Sequence, residues 1–193
     1  DRYDLGIVII PKKEPDFDIN NIKKFCTKVG VMQEGPHWYF QDYTLSKQIW
    51  YYNTLRASDI IFTHNESDKI YYQGLTAHSD VRVLPSLMIE DAIGELKDVE
   101  NEFKYGVHLM RTHAAGTFAL NCAYLGIPCI GYQGLDTQMK CHPATTVEIG
   151  DIEKAKKILA LLKNNSYFYI EASDQVKTNY KKLYHENIFN TTW

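Results

Sequence analysis

No run of apolar residues in this chain approaches the ~20 needed for a membrane-spanning helix, so the sequence offers no span. Nothing at the N-terminus reads as a secretory signal peptide. The chain opens abruptly at Asp1-Arg-Tyr-Asp4, just before a strand, as a fragment or a processed form would. Neither sign of charge dominates. The net charge of −3 gives no electrostatic case for nucleic acid or an anionic membrane as a partner. Cysteine is sparse, and the four present (Cys26, Cys122, Cys129 and Cys141) have no metal-ligand spacing. That pattern favours a reduced, cytoplasmic protein with no metal. Cys26, Cys122 and Cys129 sit in apolar contexts that suit core packing. Cys141, in Lys140-Cys-His-Pro143, is expected in a loop, where a thiol beside an imidazole would be reactive. Internal repeats and low-complexity tracts are also lacking.

What is there is ordinary for a globular protein: 193 residues, 45% hydrophobic and 23% charged. That length accommodates one full domain or two small ones. Apolar runs and helical periods alternate. Leu5 to Ile10, closed by Pro11, reads as a buried strand, and Ile19 to Lys28 as a helix. Val29 to Met32 is a second strand, followed by the loop Gln33 to Phe40. Tyr43 to Arg56 reads as a helix burying Leu45, Ile49, Tyr52 and Leu55. Asp59 to Thr63 is a third strand, Ser67 caps a helix to Leu75, and Val81 to Leu84 is a fourth strand. Beyond a connection from Ser86 to Gly94 come a charged helix (Glu95 to Lys104) and a strand (Val107 to Met110). A helix from Thr117 to Leu125, a strand from Cys129 to Gly131 and a long loop from Tyr132 to Thr145 follow. The strand Thr146 to Ile149 then leads to a helix over 152–162 capped by Asp151, and a last helix spans about 167–185. The alternation predicts an α/β fold of two Rossmann-like half-domains with parallel sheets facing a cleft. Their expected extents are residues 1–88 and 89–193, the second with a closing C-terminal helix. Aromatics at Tyr167, Phe168, Tyr169, Tyr180, Tyr184 and Trp193 would pack on the first half or on another subunit of a homo-oligomer.

The most informative stretch is Leu109 to Gly131. A strand enters a turn of small residues, His113-Ala-Ala-Gly-Thr117, and a short helix follows. Gly126 suits the left-handed cap of that helix, and Pro128 stops any continuation. A helix N-terminus reached through such a turn presents free N–H groups and a positive dipole end, an anion site. Packing alone would also account for the small residues, and the local pattern leaves both readings open.

Ligands of open parallel sheets bind beyond the C-terminal strand ends. The first half delivers Glu34, His37, Trp38, His64, Asn65 and Glu66 there. The second delivers Arg111, Thr112 and His113, then the stretch from Tyr132 to Gln138. Arg111 is suited to a diphosphate by its planar, bidentate fork. Asp136, Thr137 and Gln138 are candidates for sugar hydroxyls. His37, Glu34 or His64 is a candidate general base. Each histidine has a plainer use as a loop brace, and Trp38-Tyr-Phe40 as core.

The segment Leu109–Gly131 resembles the donor-site motif of GT-B glycosyltransferases, two-domain enzymes that use nucleotide sugars. Leu109-Met110, Ala114-Ala-Gly-Thr117 and Gly126-Ile-Pro128 carry the likeness. The resemblance implies that Arg111, Ala115, Gly116 and Thr117 hold the donor diphosphate without a metal or cofactor. It further implies that His113, Asn121, Asp136, Thr137 and Gln138 contact nucleoside or sugar. His37, with Glu34 and His64 behind it, would act as base on a hydroxyl acceptor. Many retaining members carry a glutamate pair at positions that are His113 and Asn121 here, so the commonest retaining subgroup is disfavoured. Both halves are also abbreviated relative to that family. A nucleotide-sugar epimerase of the same layout and a non-catalytic nucleotide- or carbohydrate-binding module are the alternatives.

Overall fold

The alternation of short apolar runs with helical periods produces two parallel sheets. The computed structural model describes residues 2–11, 17–84, 103–110 and 116–188. The chain divides into two compact units, Asp1–Pro85 and Ser86–Trp193.

In the first unit the strands are β1 (Tyr3–Ile10), β2 (Cys26–Gln33), β3 (Ile60–Thr63) and β4 (Val81–Val83). They lie in the order β1-β2-β3-β4, every pair parallel. The crossovers contain α1 (Ile19–Lys23), α2 (Leu45–Ala57) and α3 (Glu66–Thr76). A sequential strand order with right-handed crossovers brings successive helices to one face. There Ile19, Tyr51, Leu55 and Tyr72 from the helices meet Ile10, Val29, Val31, Ile61 and Val81 from the strands. The Tyr51 and Tyr72 hydroxyls, 2.8 Å apart, satisfy each other inside this core, and burial raises both pKa values above the usual tyrosine range.

Several boundaries differ from the sequence reading. Helix α1 stops at Lys23 rather than Lys28, because Cys26 already pairs with Tyr3 in the sheet. The Arg2 guanidinium closes the helix end by donating to the carbonyls of Lys23 (2.7 Å) and Cys26 (2.6 Å). Helix α2 buries Tyr51, Thr54 and Leu55, while Leu45 is 72% and Ile49 53% exposed. The expected face through Leu45 and Ile49 is therefore turned outward. The cap of α3 is Asn65, whose side-chain oxygen accepts the Asp68 N–H, and Ser67 is the second residue of the helix proper.

In the second unit β5 (Gly106–His108), β6 (Cys129–Tyr132) and β7 (Thr146–Val147) form a parallel sheet in that order. Helices α4 (Thr117–Leu125), α5 (Asp136–Cys141), α6 (Ile152–Asn164) and α7 (Ser166–Leu183) pack on it and on each other. Gly126 ends α4 at φ 72°, in the left-handed region that glycine tolerates. The Asp151 carboxylate caps α6 by accepting the Lys154 N–H at 2.9 Å.

The expected loop from Tyr132 to Thr145 instead contains α5 and a 3-10 turn (Pro143–Thr145). This corrects the reading of Cys141. The residue is fully buried, and burial pushes its thiol up to about 12. His142 is buried too, with both ring nitrogens in use. Nδ1 accepts the Cys129 N–H at 3.1 Å, and Nε2 donates to the Ala119 carbonyl at 2.8 Å. His142 is thus a neutral strut between β6 and α4, and burial lowers its pKa to about 4. No reactive thiol–imidazole pair forms.

Of the charged helix expected over Glu95–Lys104, residues 95–102 lie outside the described residues, and Phe103 and Lys104 are not helical. No described helix is long and apolar enough to cross a membrane.

Candidate functional site

Two groups of side chains stand out, one in each unit. In the first unit, His37 lies in a 3-10 segment (His37–Asp42) that follows the C-terminal end of β2. Its Nδ1 donates to Asp68 Oδ1 at 2.6 Å. The carboxylate is 3% exposed and the imidazole 21%. The first turn of α3 holds the carboxylate in place: Asn65 Nδ2 donates to Asp68 Oδ2 at 3.2 Å while Asn65 Oδ1 accepts the Asp68 N–H at 2.8 Å. Tyr71 packs its ring against His37, with centroids 4.1 Å apart. A carboxylate on Nδ1 fixes the tautomer and leaves the Nε2 lone pair outward, the arrangement a general base requires. Among the described residues nothing occupies that Nε2.

His64 directly follows β3. Its Nε2 donates to the Gln33 carbonyl at 3.1 Å, and burial lowers its pKa, keeping the ring neutral. Gln33, 3% exposed, donates through Nε2 to the Ile10 and Glu34 carbonyls. Its Oε1 is buried and accepts no hydrogen bond among the described residues, so acceptor capacity is left unused at the C-terminal end of β2. Glu34 is exposed, and its backbone N–H donates to the Ile10 carbonyl at 2.8 Å.

In the second unit the turn residues Arg111, His113, Ala114 and Ala115 lie outside the described residues. The described chain resumes at Gly116, the N-cap of α4, at φ 74°. No described side chain caps this helix and its first turn carries no acid. Among the described residues no side chain takes up the N–H groups of the first turn, the kind of groups an anion can bind. Gly116 itself is buried. A Cβ there would collide with the Thr137 hydroxyl, and that hydroxyl donates to the Gly116 carbonyl at 3.0 Å. The glycine is needed for close packing of α4 on α5. Thr117 follows, exposed.

Of the residues proposed for sugar or nucleoside, His113 lies outside the described residues, and Asp136, Thr137 and Gln138 make contacts within the second unit. Gln138, 1% exposed, donates to the Cys129 carbonyl at 2.8 Å and to Thr146 Oγ1 at 3.3 Å. Asp136 pairs with Lys140 at 3.0 Å. Thr137 and Gln138 as placed brace the sheet and α4 rather than face a ligand. Asn121 lies along a separate apolar groove of about 350 Å³ between β5 and α4, beside Phe103, Val107 and Phe118.

Asp68 and Tyr71 escaped the sequence reading. The signal was available in Asn65-Glu-Ser-Asp68, an N-cap residue followed at the third helical position by an acid. It marks a helix start, and only the fold shows that the acid also reaches His37. Among the described residues no three His, Cys, Asp or Glu side chains gather as metal ligands. No protein-family model matches the chain, and no curated protein shows significant similarity to it.

Proposed function

We propose that this protein transfers a sugar from a nucleotide-diphosphate donor to a hydroxyl acceptor, in the manner of a GT-B-like glycosyltransferase. The observation that carries the reading is the N-terminus of α4, where the N-cap is a left-handed glycine and no described side chain caps the helix. Backbone N–H groups and the helix dipole there suit a diphosphate, on which negative charge grows as the glycosidic bond breaks. Arg111 and Thr117 add a guanidinium and a hydroxyl close to that point in sequence. The first unit supplies the base: His37, oriented by Asp68, accepts the acceptor hydroxyl's proton at Nε2.

The non-catalytic alternative draws support from Thr137 and Gln138, whose polar groups are spent inside the second unit. Incubation with radiolabelled nucleotide sugars, with and without a hydroxyl acceptor panel, separates the readings. The transferase reading expects label on an acceptor. It also expects His37→Ala to slow that transfer by on the order of 10²–10⁴-fold with nucleotide affinity unchanged. A new sugar isomer without acceptor would indicate an epimerase. Binding without turnover across the panel would indicate a binding module.

A further inference from the structure

Helix α2 carries apolar side chains that the core of the first unit does not use. Leu45 and Ile49 are 72% and 53% exposed, whereas the buried side of the helix is Tyr51, Thr54 and Leu55. Ile49 and Trp50 instead line a groove of about 440 Å³ between α2 and the residues that open α1. This volume falls in the range of about 300–1,000 Å³ typical of small-molecule sites. The Trp50 indole is held in place: its Nε1 donates to the Phe17 carbonyl at 2.8 Å, and the Phe17 ring meets it edge-on with centroids 5.0 Å apart. Phe17 lines the groove as well.

Around this aromatic floor stand Asp18, Asn20 and Asn53. Asp18 uses Oδ1 to accept the Asn20 N–H, which leaves Oδ2 unbonded among the described residues, and the side-chain amides of Asn20 and Asn53 make no hydrogen bond there either. Fixed rings beside amides that both donate and accept match a ring whose apolar face carries C–H groups and whose edge carries hydroxyls. Other chemistries fit less well. The Asp18 carboxylate in the lining repels a phosphate or carboxylate. An organic cation would meet Lys47, whose ammonium already lies 5.8 Å from the Trp50 ring centre.

From this combination we infer that the α1–α2 groove is a carbohydrate-binding site for a neutral pyranoside. The site is independent of the transfer reading, because it uses neither His37 nor the start of α4.

Ligand-observed saturation-transfer NMR on the full chain tests this, with methyl β-glucoside, methyl β-galactoside, methyl α-mannoside and their β-1,4- or α-1,4-linked disaccharides as probes. At least one of these sugars receives saturation. Asn53→Ala, which removes an exposed side chain with no partner among the described residues, weakens its binding about tenfold, as loss of one good hydrogen bond would. Trp50→Ala abolishes it. Absence of saturation in every probe overturns the inference, as does binding that survives in Asn53→Ala and Trp50→Ala alike. A concentration-dependent dimer that Ile49→Lys dissolves, with no sugar signal, also overturns it and assigns the groove to a second copy of the chain.

Discussion

At Gly116 the backbone sits at φ 74°, and a side chain there would meet Thr137 and Leu135. Gly116→Ala combines a left-handed alanine, about 1–2 kcal/mol, with a steric clash, so urea denaturation should show a loss of about 2 kcal/mol or more. Gly74 is the contrasting case. It lies inside α3, where an added methyl group would meet nothing within 4 Å, and Gly74→Ala should stabilise by about 0.5–1 kcal/mol. His142 gives a pH dependence. Its pKa falls from 6.5 to about 4 on folding, so between these values the unfolded chain binds more protons than the native one. Stability is intact above pH 6.5 and drops as the pH falls towards 4, by up to about 3 kcal/mol from this residue. His64, lowered in the same direction by burial, adds to the trend. Equilibrium unfolding across that window should show the slope in the wild type and a shallower one in His142→Gln. An identical slope in the variant would remove His142 as its source.

Among the elements, α3 does two jobs with one turn. Asn65 caps the helix and also holds the carboxylate that orients His37. Asn65→Ala should therefore cost about 1 kcal/mol of stability, as lost caps do, and additionally lower turnover. Asn65→Asp keeps the capping oxygen but sets a second buried carboxylate against Asp68 in place of the donor, so it should restore neither stability nor turnover. Equal recovery of both properties would deny Asn65 its positioning role. The elements themselves were largely legible. Short apolar runs marked β2, β3 and β6, and Gly126 and Asp151 announced the end of α4 and the start of α6. Less legible was α5, whose buried side is made of Asp136, Thr137, Gln138 and Cys141. Polar residues that bond inward carry no hydrophobic period, so they read as a ligand-facing loop. In α2 the period misled, because Leu45 and Ile49 repeat at helical spacing on the face that the core does not cover.

For the whole molecule, two parallel α/β units follow from the alternation of runs along the chain, and the sheet orders β1-β2-β3-β4 and β5-β6-β7 add what spacing cannot supply. The candidate site was legible in part. His37 and His64 were visible as strand-end residues, the turn expected before α4 lies outside the described residues, and the partner of His37 depended on where α3 falls. The central claim is that the start of α4 binds the diphosphate of a nucleotide. Isothermal titration of the full chain with uridine, guanosine and thymidine diphosphates tests it most directly, with Arg111→Ala as the paired variant. The account predicts saturable binding of at least one nucleotide and its loss or marked weakening in Arg111→Ala. No binding of any of the three, or binding indifferent to Arg111, would contradict it.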